Sequence, residues 1–148
     1  TKAKYTEENS LTFGLTISEL QSQGIIDGYH NLTPSHDAAT ANWGGSWRMP
    51  TKTELEELRN ECTRTWTTQN GVKGSKMTGP NGNSIFLPAA GYHEGTSLIN
   101  DGGYGPYWSS TPDEIFSDDT YFLVFDSGDQ RVDCLIRYYG LSVRPVSE

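Results

Sequence analysis

The chain is short of cysteine, of positive charge and of long apolar runs, and each shortage closes off a class of protein. Cys62 and Cys134 are the only two cysteines, so one disulfide is possible but neither a disulfide framework nor a cysteine zinc site can be built. Lys and Arg total 11 against 19 Asp and Glu, and the net charge of −8 argues against nucleic acid or an anionic membrane as partner. No apolar stretch approaches the ~20 residues needed to span a bilayer, so membrane insertion by this domain is not expected. No secretory signal is visible, and any such signal would have been removed or would lie upstream of Thr1, so its absence decides little. His30, His36 and His93 stand without HExxH or similar ligand spacing, and neither a phosphate loop nor a Ser-His-Asp constellation can be placed. Nothing here calls for an enzyme.

What the chain does have is glycine, aromatics and localised acid. Hydrophobic residues make up 34 % of 148, enough for one modest core rich in Trp, Tyr and Phe, while 16 glycines and 7 prolines imply many turns. The acid is concentrated between Asp101 and Asp133, where Asp113, Glu114, Asp118, Asp119, Asp126 and Asp129 also lie, against Arg131 alone. A solvated acidic face is the plain reading, with a cationic partner or Ca²⁺ the sharper one. Asp118-Asp119 and Asp126/Asp129 could ligate Ca²⁺, but EF-hand spacing is missing, so the expectation is no cofactor, with Ca²⁺ left open.

In chain order, residues 1–13 are polar and aperiodic and read as an arm or edge segment. Thr16 to Glu19 fits a capping box for a short helix that ends near Gln23, with Gly24 in the left-handed terminating position. Thr33 caps and Pro34 opens a second helix running to Gly44. Thr51 to Glu54 is another capping box, and Leu55, Leu58 and Cys62 form one apolar stripe on the third helix. The period then changes to two. Strands flank the Asn70-Gly71 turn, a third strand covers Ser84–Pro88, and Ala89 to Pro106 reads as a long glycine-rich functional loop. In Tyr121–Phe125, alternation places Tyr121, Leu123 and Phe125 on one face and Phe122 and Val124 on the other. Asp126 to Asp129 is a turn, Arg131–Ile136 returns, and Leu141–Pro145 closes the sheet. Trp43, Trp47, Trp66 and Trp108 are expected mainly in the core, whereas Tyr104, Tyr139 and Phe116, beside loops or glycines, are expected at the surface. The last third mixes aromatics with Ser, Gly and Asp, a composition suited to recognition.

Five blocks in order, HDAATANWGGSWRMPTKTELEEL, TWTTQNGVKG, NGNSIFLPAAGY, YWSSTP and RYYGLSVRPV, resemble the Fibrobacter succinogenes major paralogous domain family over Asn31 to Val146. That family is abundant in gut bacteria of the Bacteroides type. An earlier strand-forming segment usual in its members is not found here, which marks the chain as a trimmed or divergent version. The resemblance implies an α+β, C-type lectin-like fold: two or three short helices packed on small twisted antiparallel sheets with long loops. It implies a single domain over 1–148, with residues 1–30 a divergent arm and short helix. The family is also similar to the formylglycine-generating enzymes and to the variable proteins of diversity-generating retroelements, including phage receptor binders.

For this chain the resemblance implies a non-enzymatic binding domain, with residues 89–146 as the variable region. Tyr107, Trp108, Ser109, Ser110, Leu123, Phe125, Arg137, Gly140, Ser142, Val143, Arg144 and Pro145 match the fixed framework. The ligand-contacting positions would be His93, Glu94, Tyr104, Pro106, Asp113, Phe116, Phe122, Val124, Asp129, Arg131, Asp133, Leu135, Tyr139 and Leu141; Thr96, Ile115, Cys134 and Ile136 also fall at variable positions. The implied partner is a protein or glycan on a cell or phage surface, met outside the cell, at a bacterial surface or on a virion. The Glu-Pro-Asn and Gln-Pro-Asp sugar triplets of C-type lectins are absent, so calcium-dependent sugar binding is not implied. A formylglycine-type oxidase, with Cys134 as its thiol, and a structural repeat of a surface protein are the alternatives.

Overall fold

The computed structural model describes residues 4–147. Three short helices, α1 (Ile17–Ser22), α2 (Ala38–Trp43) and α3 (Lys52–Glu61), precede or interrupt ten strands, all but the first of which follow α3. β2 (Thr63–Gln69), β3 (Val72–Thr78) and β4 (Ser84–Pro88) form one antiparallel sheet. β7 (Gly105–Pro112), β8 (Asp119–Phe125) and β9 (Gln130–Ile136) form a second. Two small pairs complete the set: β5 (Tyr92–Glu94) with β6 (Ser97–Ile99), and β1 (Trp47–Arg48) with β10 (Val146–Ser147). The architecture is α+β with small antiparallel sheets. No helix among the described residues is long and apolar enough to cross a membrane.

Local chemistry sets the helix starts. At α1 the Thr16 hydroxyl accepts from Glu19 N at 3.2 Å and the Glu19 carboxylate accepts from Thr16 N at 2.8 Å, closing the box in both directions. At α3 the same exchange joins Thr51 and Glu54, and Arg48 adds a two-pronged contact to Glu54 with both N–O distances at 2.7 Å. The α3 stripe lands as its spacing demands, Leu55 buried and Leu58 and Cys62 packed beside it. The β2–β3 hairpin turns at Asn70 and Gly71, whose φ of 50° and 79° are the left-handed pair a type I′ turn requires.

α2 begins later than its Thr33-Pro34 signal predicts. Asp37 is the cap: its Oδ1 accepts from Ala39 N and Thr40 N at 2.8 and 2.9 Å, while Oδ2 accepts from Met49 N at 2.8 Å. The buried carboxylate thus satisfies the helix start and a neighbouring chain segment at once. Thr33 instead donates its hydroxyl to Gly24 O at 2.7 Å.

The core lies on both sides of β7–β8–β9. Tyr107, Leu123 and Phe125 face α3 and the other sheet, with Leu55, Met77, Leu87 and Ala89. Trp108, Phe122 and Val124 face the opposite way, under Ala39 of α2, Met49 and the segment carrying Tyr139, Leu141 and Val143. A third cluster, Leu20, Ile25 and Ile26, packs below α1. β7 is buried almost throughout, and a Cβ at Gly105 would enter the Phe125 ring, so the backbones close up there only because the side chain is missing.

Other sequence expectations need correction. The stretch 89–106 is not a plain loop: it folds into the β5–β6 hairpin, and its last two residues open β7. Residues 141–145 do not close a sheet; Ser142 makes one parallel bridge to Tyr107, and the last strand, β10, pairs with β1 instead. Trp43 and Trp47 are 59 % and 43 % exposed rather than core, because they sit where α2 ends and the chain turns out through Gly44 and Gly45. Residues 1–3 of the predicted arm lie outside the described residues. From Tyr5 on, the segment is an edge: Tyr5 bridges Gly95, stacks on His93 with centroids 5.4 Å apart, and lays its ring against Gly140.

Candidate ligand-binding face

The turn into β9 is built by Asp126, whose Oδ1 accepts from Gly128 N at 2.7 Å and Asp129 N at 2.8 Å. This register pairs Val124 with Arg131 and Phe122 with Asp133. Period two then sends Arg131, Asp133 and Leu135 off the same side of the sheet as Phe122 and Val124. The strand is at the sheet's edge, so its charged residues reach water while the central strand's apolar pair is covered. Arg131 lies between two carboxylates, Nη1 at 3.1 Å from Asp129 Oδ2 and Nε at 3.2 Å from Asp133 Oδ2. The Asp133 hydrogen bond, aided by that of Asp129, raises the guanidinium above its ordinary value, so its charge is permanent.

A second wall comes from β5–β6. His93 N donates to Gly140 O at 2.7 Å and Gly140 N returns the bond at 2.9 Å, fastening the hairpin to the turn after β9. Tyr92 is then edge-on to Tyr104 at 6.0 Å and to Tyr139 at 5.9 Å. Tyr138 lies 4.8 Å from Tyr139, and the Tyr139 hydroxyl reaches Glu94 at 3.4 Å. Tyr104, Leu135, Tyr139 and Leu141 rest half-buried on the Trp108–Phe122–Val124 cluster. Burial first, then the neighbouring Tyr138 and Glu94, push the Tyr139 phenol up to about 12, and burial raises Tyr104. Both hydroxyls stay neutral at physiological pH, able to donate and to accept.

Of the fourteen predicted positions, eight therefore share one accessible face: Glu94, Tyr104, Asp129, Arg131, Asp133, Leu135, Tyr139 and Leu141. Pro106, Asp113, Phe122 and Val124 do not belong to it, being buried. Phe122 and Val124 face the right way but lie underneath, because the strand is central and the chain's own α2 and 139–143 segments cover it. Asp113 is a structural carboxylate: Oδ1 accepts from Ile115 N and Phe116 N at 2.7 and 3.2 Å, and Oδ2 accepts from the Cys134 thiol at 3.0 Å. The His93 ring points away, toward Tyr5. Phe116 is two-thirds exposed, beside an even more exposed Ile115, but it lies beyond the opposite end of β8 from Arg131. Tyr92 and Tyr138 belong to the face and went unpredicted; Tyr92 lay in a stretch read as loop, where the Gly95 turn was the available signal.

Comparison of the chain with family models, curated proteins and solved structures returns no match.

Around this face the acid is already occupied. Asp126 is committed to its turn, Asp129 and Asp133 to Arg131, and Asp118 accepts from Gly14 N at 2.6 Å. Among the described residues no group of three or more His, Cys, Asp or Glu gathers as metal ligands do. Cys62 and Cys134 are both unpaired. Burial, together with the Asp113 carboxylate that its thiol donates to, pushes Cys134 up to about 12. It is a neutral donor here rather than a nucleophile.

Proposed function

We propose that this domain is a non-enzymatic binding module of C-type lectin-like fold. Its accessible C-terminal face would engage a protein or glycan on a cell or virion surface. The observation that carries this reading is the meeting of the Tyr92–Tyr104–Tyr139 cluster with Arg131 above the buried Trp108, Phe122 and Val124. Tyrosines and arginine are the side chains that dominate binding hot spots, since they offer large contact area and directional hydrogen bonds at low entropic cost. The protonated state of Cys134 is what weighs against an oxidase role.

The order of sequence blocks supports the further reading that this is a variable protein of a diversity-generating retroelement. In that case sister copies from one genome differ at the accessible positions, not at Phe122 or Val124, and the differences trace to adenines in a template repeat. Differences spread evenly over the helices would count against it. For binding itself, the domain is screened on glycan and cell-surface protein arrays beside the Arg131→Ala/Tyr139→Ala variant. A hit lost in the variant supports the proposal, and a hit retained by it overturns the assignment of the face.

A further inference from the structure

Five of the nine large apolar side chains exposed among the described residues stand on three loops: Leu11 and Phe13 before α1, Tyr29 after it, and Ile115 and Phe116 between β7 and β8. Leu11, Tyr29 and Ile115 are 96, 87 and 84 % exposed. The loops are tied to one another. Gly14 N donates to Asp118 Oδ1 at 2.6 Å, and Arg137 Nη2 donates to Thr12 O at 2.8 Å while lying 3.6 Å from the same Asp118 oxygen. Glu114 Oε1 lies 2.7 Å from His30 Nδ1. The Phe13 ring is edge-on to Tyr138 at 5.7 Å, and Asp113 Oδ1 accepts from Ile115 N and Phe116 N, holding their turn closed. Single exposed apolar residues are ordinary, but several gathered within a polar rim mark an interaction surface.

The rim carries one sign of charge. Neither Lys nor Arg occurs between Lys4 and Arg48 or between Lys76 and Arg131, and all three loops belong to these two stretches. Asp27, Glu114 and Asp118 lie on the loops themselves, and most of the Glu114 side chain is exposed. Arg137, the cation that reaches in from the end of β9, is largely buried and engaged by Asp118 and Thr12 O. Even with Arg137 opposing, burial and then the Asp113 and Asp118 carboxylates hold Asp119 above its ordinary value, so the local field stays negative. A second copy of the domain would set these carboxylates against their own kind, and an anionic bilayer would be repelled. Charge complementarity selects an occupant with positive charge beside its apolar groups.

We propose that this surface docks a segment of a partner protein in which Lys or Arg stands among large apolar side chains. It lies at the opposite end of β8 from Arg131, so it stands or falls apart from the tyrosine face.

The test is a titration of the ¹⁵N-labelled domain with the peptide acetyl-LKKLLKKL-amide, beside acetyl-SKKSSKKS-amide and acetyl-LEELLEEL-amide. The first peptide is expected to shift the amides of Leu11, Tyr29, Ile115 and Phe116 and to bind at least tenfold tighter than either counterpart. Its affinity should fall as salt is raised from about 0.05 to 0.5 M, because screening weakens exposed charges. Ile115→Ser/Phe116→Ser removes two exposed side chains, so it should leave the melting temperature within a few degrees of wild type and weaken binding about tenfold or more. Glu114→Lys should weaken it as well. The proposal is overturned if the shifts fall on α3, on β2–β3 or on Tyr104 and Tyr139, if either counterpart peptide binds as tightly, or if neither variant changes the affinity. It is equally overturned if the domain alone sediments as a dimer that Ile115→Ser/Phe116→Ser dissociates, or if phosphatidylcholine vesicles capture the domain through these residues.

Discussion

Replacing Phe122 by Ala should unfold the domain far more readily than replacing Arg131, although the two residues belong to adjacent strands and project from the same side of the sheet. Phe122 is 3 % exposed and packs edge-on against Trp108 at 5.9 Å, with Val124, Met49 and Ala39 completing its surroundings. Truncating such a ring costs about 3–5 kcal/mol, the lost transfer energy plus the cavity left behind. An unfolding entropy of about 2.1 cal/mol/K per residue amounts to about 0.3 kcal/mol/K for 148 residues, so the melting temperature should fall by about 10–16 °C. Arg131 is about half exposed, and its two ion pairs join partners more than half exposed. Exposed pairs contribute about 0–1 kcal/mol, so Arg131→Ala should move the midpoint by no more than about 3 °C. Differential scanning calorimetry of the three proteins in one buffer decides it. If Phe122→Ala melts within a few degrees of wild type, the second face of β8 is open and the floor of the proposed binding face has been misassigned.

Two further outcomes follow from the same contacts. The Arg48 hydrogen bonds hold the Glu54 carboxyl down to about 2 from an ordinary 4.5, with burial opposing and the Thr51 cap assisting. A depressed carboxyl contributes stability that is complete above the unfolded value and is lost as pH falls through the folded one. Urea titrations between about pH 4.5 and 2 should therefore show wild type losing stability more steeply than Glu54→Gln, and parallel curves would refute the role given to Arg48. Cys134, pushed up to about 12, should react with Ellman's reagent at pH 8 far more slowly in the folded protein than in urea, and Asp113→Ala should accelerate it; immediate labelling of the native thiol would contradict the Asp113 contact.

How much of this was legible beforehand depends on how local each cause is. The capping boxes at Thr16–Glu19 and Thr51–Glu54, the Asn70-Gly71 turn and the Leu55–Leu58–Cys62 stripe are decided by residues within about two helical turns of one another, and the chain folds as they direct. The α2 cap was misread because Asp37 gains from Met49 N, twelve residues on, while Thr33 is drawn away to Gly24. Alternation separated Phe122 and Val124 from Leu123 and Phe125 correctly, but a period of two says nothing about which face is covered. The covering comes from α2 and from residues 139–143, neither of which borders β8 in sequence. Asp113 and Cys134 both sat in the predicted variable set, yet they spend their polar atoms on each other across 21 residues.

Recognition of a macromolecular partner is assigned to the tyrosine–arginine face. The most direct measurement compares, against an array-identified ligand, the affinities of wild type, Arg131→Ala/Tyr139→Ala and a control altered on the other sheet, Thr65→Ala/Lys76→Ala, a directly paired and exposed couple on β2 and β3. A loss of about a hundredfold or more is expected in the first variant, in keeping with two hot-spot side chains, and no change in the control. Equal affinity in wild type and Arg131→Ala/Tyr139→Ala, or a comparable loss in the control, would contradict it.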